Sequence, residues 1–518
     1  MTEGSNQGLF VIIAIIIFGL FVLLAYLLFR DMLTPSLNAI FKDSIDQTDS
    51  RLNGGKNGND LGYEEVVVDD ENIIVNADET MYVKIRDADT EKGWTEIWIH
   101  VEEVEEGKLK VIGTNDVHDI ATYRTIYGGQ RMTGEVVFPD IIKGKKLTDL
   151  SAPYLFVYAK FTGTFQGNSI EKLGEQTLSG SLFTGDFYAP NLKEIDKYAL
   201  NKSKFEGGSL LLPEVISIEE YSFYYAEFNG EFYAPKVESI HFNSLYYAQF
   251  TGDFNAPKLT FLAGNSLNNS LFDGDFYAPE LETIGDVESP YPVFSSSTFK
   301  GTFYAPKLKK ILTPSWAEFY IAEFTGDLIL PEIENIPAGL FQKAKFNGDF
   351  SAPKAKIIGQ SSFENSVFTG DFNSPLVESI DIQGAFLNSK FTGDFNAPNL
   401  TTIGVSSFEN SLFNGKFNAP NIQSLTFGEF LNSKFTGDLI LKEATSIGWN
   451  SFQESNFNGD LIAPKLTEIG QEALKKSTFG GELNAPLLSE ILDNALDNAT
   501  FSSWKASIEQ PENTFPKI

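Results

Sequence analysis

The stretch FTGDFNAP stands at 250–257 and recurs unchanged at 391–398, 141 residues further along the chain. Near-copies surround both. A Phe-x-Gly triplet begins at Phe161 and then at fourteen more positions, ending at Phe479, in steps of 22 or 23 residues. The two exceptions are a step of 27 after Phe272 and one of 25 after Phe299. A degenerate unit, Met132-Thr-Gly134, precedes them. Repetition at one such period predicts a solenoid, in which a single coil cannot bury its own apolar face and must stack on its neighbours.

The unit reads F-T-G-D-F-N-A-P-x-L-x-x-I-G-x-x-S-F-x-N-S-x. In a strand, side chains alternate with period two. Phe, Gly, Phe and Ala then face inward, and Thr, Asp and the sixth residue face outward. Proline has no N–H for the ladder and ends the strand. Leu400 and Ile403 turn a second apolar pair inward, and Gly404 permits a turn. A short helical or 3₁₀ piece is expected to carry one more inward residue, as at Phe363, Phe386, Phe408, Phe430 and Phe452. Parallel pairing at about 4.8 Å makes roughly sixteen coils about 75 Å long, with phenylalanines stacked into a spine. The longer units, around Pro290-Tyr291-Pro292 and Pro314-Ser315-Trp316, should bulge as loops.

The half-unit A-P-x-L-x-x-I-G-x-x-S-F resembles the BspA-like, or Treponema pallidum-type, leucine-rich repeat. The matches are clearest at Pro398-Asn-Leu400-Thr-Thr-Ile403-Gly404 with Ser407-Phe408, and at Pro464-Lys-Leu466-Thr-Glu-Ile469-Gly470. The resemblance implies a leucine-rich-repeat solenoid with a parallel β-sheet ladder of about 22 residues per coil, over 132–500. The structural alternative is a right-handed parallel β-helix. The resemblance also implies a surface-displayed adhesion or binding protein, although fold alone does not fix function.

Before the repeats, Leu9–Phe29 holds 21 residues without a charge. A helix of that length spans roughly 31 Å, the thickness of a bilayer core. The expectation is an uncleaved single-pass transmembrane helix behind a short tail, 1–8. A signal peptide would have a shorter apolar region and a basic start. Residues 30–62 read as a juxtamembrane segment and flexible linker, rich in Asn, Gly, Asp and Ser. Residues 63–131 read as a small β-rich module, with Trp94 and Trp98 on a core or hairpin face. Residues 501–518 lose the repeat and read as a C-terminal cap and tail.

Arg30, Lys42 and Arg51 follow the apolar stretch and argue by the positive-inside rule for a cytoplasmic solenoid. The spacer, the acidic character and the family resemblance argue for an extracellular one, which is the reading adopted. The net charge of −31 argues against a nucleic-acid binder, because phosphates must be met by Lys and Arg. No cysteine is present, which removes disulfides, Cys-based zinc sites and Cys nucleophiles.

The outward positions supply the candidate binding face. The fourth residue is acidic at Asp186, Glu231, Asp253, Asp275, Asp327, Asp349, Asp371, Asp394, Asp438, Asp460 and Glu482. The sixth is Tyr at 188, 233, 277 and 304, and Asn at 255, 373, 396, 418 and 484. Asp is depleted in strands, so an acidic column needs a reason. Solubility and protection of an exposed sheet is one. A face for a basic protein, a cation or a glycan is the other, drawn around Asp186, Tyr188, Glu231, Tyr233, Asp253, Asn255, Asp275, Tyr277, Tyr304, Asp349, Asp371 and Asp394. For the tyrosines and asparagines, simple stacking along the sheet is the plainer account.

An enzyme is not expected. His100, His118 and His241 are the only histidines, without a metal-ligand spacing. There is no P-loop or Gly-x-Ser-x-Gly elbow, and no cofactor is expected. The partners expected are a protein or glycan at the repeat face and a lipid bilayer at 9–29. A subunit of a surface or pilus-like assembly, and a cytoplasm-facing membrane scaffold, are the alternatives.

Overall fold

The computed structural model describes residues 65–114, 132–287, 289–312, 318–512 and 514. From Val66 onward they belong to one compact unit. Each coil contributes three short strands, and most strands pair in parallel with their equivalents in the next coil. The first ladder has fifteen strands, from Lys160–Phe161 to Thr478–Phe479. The second has thirteen, from Val136–Val137 to Phe417–Asn418, followed by four more from Leu439–Ile440 to Ser503–Ala506. The third runs in segments, the last of them from Ser424–Phe427 to Glu490–Ile491. Register is set by the repeat: Phe391 faces Phe413, and Phe395 faces Phe417.

This corrects the fold class expected from the sequence. The chain is an all-β parallel solenoid with three ladders, not a single ladder backed by helical returns. No α-helix occurs among the described residues. The segments around Phe363, Phe386, Phe408, Phe430 and Phe452 are turns. Ser406 and Asn410, on either side of Phe408, have φ of 54° and 58°, whereas a 3₁₀ helix needs negative φ throughout. Alternate amides there bond across coils, as Phe408 N–H to Glu429 O at 2.8 Å and Asn410 N–H to Leu431 O at 2.9 Å. Those between bond locally, as Glu409 N–H to Ser406 O at 3.2 Å. A helix would keep every amide within its own coil. The membrane-spanning helix expected at 9–29 lies outside the described residues, and among those residues no helix is long and apolar enough to cross a membrane.

Three phenylalanine columns fill the interior. Within a column the rings lie parallel, as Phe391 and Phe413 at 4.7 Å and 3°. Between columns they meet edge to face, as Phe386 and Phe395 at 5.5 Å and 89°. Both geometries suit the ring quadrupole. Buried serines hold the turns, as Ser411 Oγ donating to Phe386 O at 2.7 Å.

At the N-terminal end, β1 (Ile73–Val75), β2 (Met81–Arg86), β3 (Ile97–Glu105) and β4 (Lys108–Thr114) form an antiparallel meander. β4 then pairs in parallel with Lys145–Leu150, so the meander runs directly into the third ladder and covers its first edge. Arg86 fastens this cover by donating to the carbonyls of Thr95, Thr133 and Glu135. Its guanidinium lies over Trp94 at 5.3 Å. At the other end Phe501 stacks on Phe479 at 4.9 Å, and Trp504 meets Phe501 edge-on.

Candidate functional site

The acidic column sits at the corner between the first and second strands of each coil. There the carboxylate of one coil accepts the backbone N–H of the fourth residue in the next. Asp275 N–H reaches Asp253 Oδ1 at 2.9 Å, Asp371 N–H reaches Asp349 at 2.8 Å, and Asp394 N–H reaches Asp371 at 2.7 Å. Thr302 and Lys416 donate in the same way to Asp275 and Asp394. The corner amide of one coil thus finds its acceptor in a side chain of the coil before it. Asp186 makes the same bond to Ser209 N–H at 3.2 Å, and in the next coil Ser209 Oγ stands in for the carboxylate toward Glu231 N–H. Each of these aspartates therefore has one oxygen committed to the stack.

The glycine beside it has a matching reason. A Cβ on Gly393 would come within 2.2 Å of the Gly370 carbonyl oxygen. Coils approach so closely at this corner that a side chain does not fit.

The sixth positions divide. Asn396 Nδ2 donates to Asn373 Oδ1 at 2.9 Å, and Asn418 to Asn396 at 2.6 Å, forming an amide ladder. Asn255 Nδ2 donates to Glu231 Oε1 at 3.2 Å. Tyr277 and Tyr304 stack at 5.4 Å and 4°, and burial raises the pKa of both. Tyr188 is half-buried, and Tyr233 is only 2% exposed, so the expectation of an exposed Tyr233 is corrected: its flank is packed within the sheet.

The exposed tyrosines lie elsewhere, on the turn that carries each coil from its third strand back to its first. Two backbone positions in that turn are left-handed. In the C-terminal coils the second of them is filled by Asn365, Asn388, Asn410 and Asn432, whose amides bond in series at 2.8–3.2 Å. Asn tolerates this conformation. In the N-terminal coils Tyr154, Tyr158, Tyr198, Tyr221, Tyr225 and Tyr247 occupy the two positions, at φ between 57° and 65°. For a bulky side chain the left-handed region is disfavoured by roughly 1–2 kcal/mol. Lys202, Ile321, Lys343, Glu454 and Lys476 take the second position in other coils, so the turn admits bulky residues generally, and what sets the N-terminal coils apart is that theirs are aromatic.

The rings form columns. Tyr198 stacks on Tyr221 at 4.7 Å, Tyr224 on Tyr246 at 5.3 Å, and Tyr225 on Tyr247 at 4.8 Å and 2°. Each ring spends one face on its partner in the next coil. Tyr225 is 42% exposed and Tyr247 39%. The Tyr224 hydroxyl is pushed up to about 12 by burial and by the neighbouring Tyr225. The 27-residue unit bounds this edge. Its Tyr291 packs on Phe242 at 5.6 Å, and Ser289 and Tyr291 lie over Gly264. The signal for this edge was present in the sequence as SFYYA at 222–226 and SLYYA at 244–248. Strand alternation, which located the sixth-position tyrosines, says nothing about a turn.

His100 is hydrogen-bonded to Thr80 and stacked on Tyr82 at 4.2 Å, and His118 lies outside the described residues. Among the described residues no group of three or more His, Cys, Asp or Glu is placed to hold a metal ion.

The chain matches the family model for the BspA type leucine rich repeat region in six copies, over 152–273 and 356–480. No curated protein matches it. Among solved structures it is similar to that described as the crystal structure of pneumococcal vaccine antigen PcpA, at 12% identity, over 81% of this chain and 90% of that one, with a TM-score of 0.17. A likeness that slight carries no argument. The six recognised copies show that the solenoid carries BspA type leucine-rich repeats over those residues.

Proposed function

We propose that the solenoid is a non-enzymatic binding module displayed on a bacterial cell surface, and that the tyrosine edge contacts a protein partner. The apolar stretch 9–29 would hold it at the membrane, with 30–62 as spacer. The observation that carries the reading is the clustering of six tyrosines at the left-handed turn positions of the N-terminal coils. Tyr offers large, rigid contact area at low entropy cost and is enriched in interface cores. The chain charge of −31 favours a basic partner, whose approach it would steer.

The test is made on intact cells. External protease should release the repeat domain, and a Tyr225→Asn, Tyr247→Asn chain should reach the surface in equal amount but lose attachment to the partner cell or matrix. Protection of the domain until the membrane is opened, or unchanged attachment by the variant, would reject this reading.

A further inference from the structure

Phe427 and Trp449 are neighbours in register on the third ladder, 39% and 50% exposed. They meet edge to face, at 5.2 Å and 85°. This separates them from the Phe spine and the tyrosine columns, where consecutive rings lie parallel and close each other's faces. In a perpendicular pair one ring offers only its edge to the other, so both of its own faces stay uncovered by that partner.

The pair is held by a built support. Where the adjacent coils have Ser407 and Ser451, this coil has Glu429, fully buried. Its Oε1 accepts from the Thr426 amide, the Thr426 hydroxyl at 2.8 Å and the Phe427 amide at 2.9 Å. Its Oε2 accepts from the Ser451 hydroxyl of the next coil at 2.9 Å. Burying a carboxylate is costly unless it is fully bonded, and here it fixes the strand end that presents Phe427. Both strands run two residues longer than most in the third ladder, Ser424–Phe427 and Ser446–Trp449.

The two strands themselves are uncharged, and the ionisable residue paired with them on the ladder is Glu468, opposite Ser446 in the next coil. The flanking Gln423 and Thr445 are exposed amide and hydroxyl groups. On a chain of net charge −31 such a neutral, hydrogen-bonding surface around an open aromatic face is the exception. It is complementary to a neutral polyhydroxylated ligand, whose C–H face lies on the ring while its hydroxyls meet amides and hydroxyls. A basic peptide would find no carboxylate on these two strands and a single one, Glu468, on the strand beside them.

We infer that Phe427 and Trp449 form a second binding site, for a neutral glycan, separate from the tyrosine edge. The test is calorimetric titration of the full chain with hexasaccharides of glucose and of N-acetylglucosamine, and with heparin as the anionic counterpart. At least one neutral hexasaccharide should bind saturably. Trp449→Ala should weaken it at least tenfold, Trp449→Phe less than Trp449→Leu, and Tyr225→Asn, Tyr247→Asn should leave it unchanged. The Phe–Leu comparison keeps the test informative if the alanine variant folds poorly. Absence of saturable binding by both neutral sugars, equal binding by Trp449→Ala, or preference for heparin would overturn the proposal.

Discussion

Lys416 stands where most coils carry an aspartate, and between it and Asp438 the second ladder is interrupted. A Cβ on Gly437 would meet nothing within 4 Å, whereas one on Gly459 in the next coil would meet Asp438 at 2.3 Å. The Thr302 corner also lacks a carboxylate, and there the second ladder keeps only the pair Phe303–Leu328. The Thr164 corner lacks one too, yet Phe165–Gln166 pairs fully with the strands on both sides, so the carboxylate reinforces the corner rather than creating it.

Lys416→Asp should therefore stabilise the solenoid by about 1 kcal/mol, the usual net worth of a hydrogen bond. Asp371→Ala, which removes the acceptor of Asp394 N–H, should destabilise it by a similar amount. Urea unfolding of both variants beside the parent chain checks the two signs. Identical midpoints would remove the carboxylates from the stability account.

The glycine of the repeat gives a paired test within one sequence motif. Gly393→Ala forces a methyl group against the Gly370 carbonyl and should destabilise by about 2–3 kcal/mol. Gly437→Ala has room and should change stability by no more than about 0.5 kcal/mol. Equal losses at both sites would show that close approach is not what selects glycine there.

Phe391 is fully buried between Phe368 and Phe413. Phe391→Ala should destabilise by about 3–5 kcal/mol, through lost burial and the cavity left behind. Loss of the thermal transition, or its splitting in two as the stack is divided, would be the readout. A fall below about 1 kcal/mol would mean that the columns are not the main source of cohesion.

At the tyrosine edge stability and binding should separate. Tyr225→Asn relieves left-handed strain but removes a ring stack worth about 0.5–1.5 kcal/mol. The two nearly offset, so thermal stability should stay close to that of the parent while partner binding falls. A large loss of stability would mark Tyr225 as a structural residue.

Tyr224 gives a pH dependence with a definite sign. Its folded pKa, about 12, lies above the ordinary 10, so the folded state keeps a proton that the unfolded state releases. The stabilisation is complete below pH 10 and is lost as pH rises from 10 to about 12. Phenolate absorbance should show a late-titrating fraction in the folded chain, and Tyr224→Phe should diminish it.

Much of the architecture was legible at the residue level. The period of Phe-x-Gly fixed the coil, and alternation correctly turned Phe391, Phe395 and Ala397 inward. The return turn was misread because a pattern of one inward Phe per turn fits a helical piece as well as an alternating left-handed turn. The acidic column was read as a surface property, yet Asp349 and Asp371 are hydrogen-bond acceptors for backbone of the next coil. That bond joins residues 22 apart. No local pattern reports it.

The sequence by itself determined that the chain stacks, since a repeated apolar face that one coil cannot bury has no other solution. It also determined which side chains form the stack, because strand alternation is a local property of the backbone. Only the tertiary structure decided what the outward residues do. Whether an Asp is free or bonded, whether a Tyr is buried like Tyr233 or presented like Tyr247, and whether rings close on each other or stand apart like Phe427 and Trp449 depends on the neighbouring coil. The distance and twist between coils set those contacts, and neither is written within a single repeat.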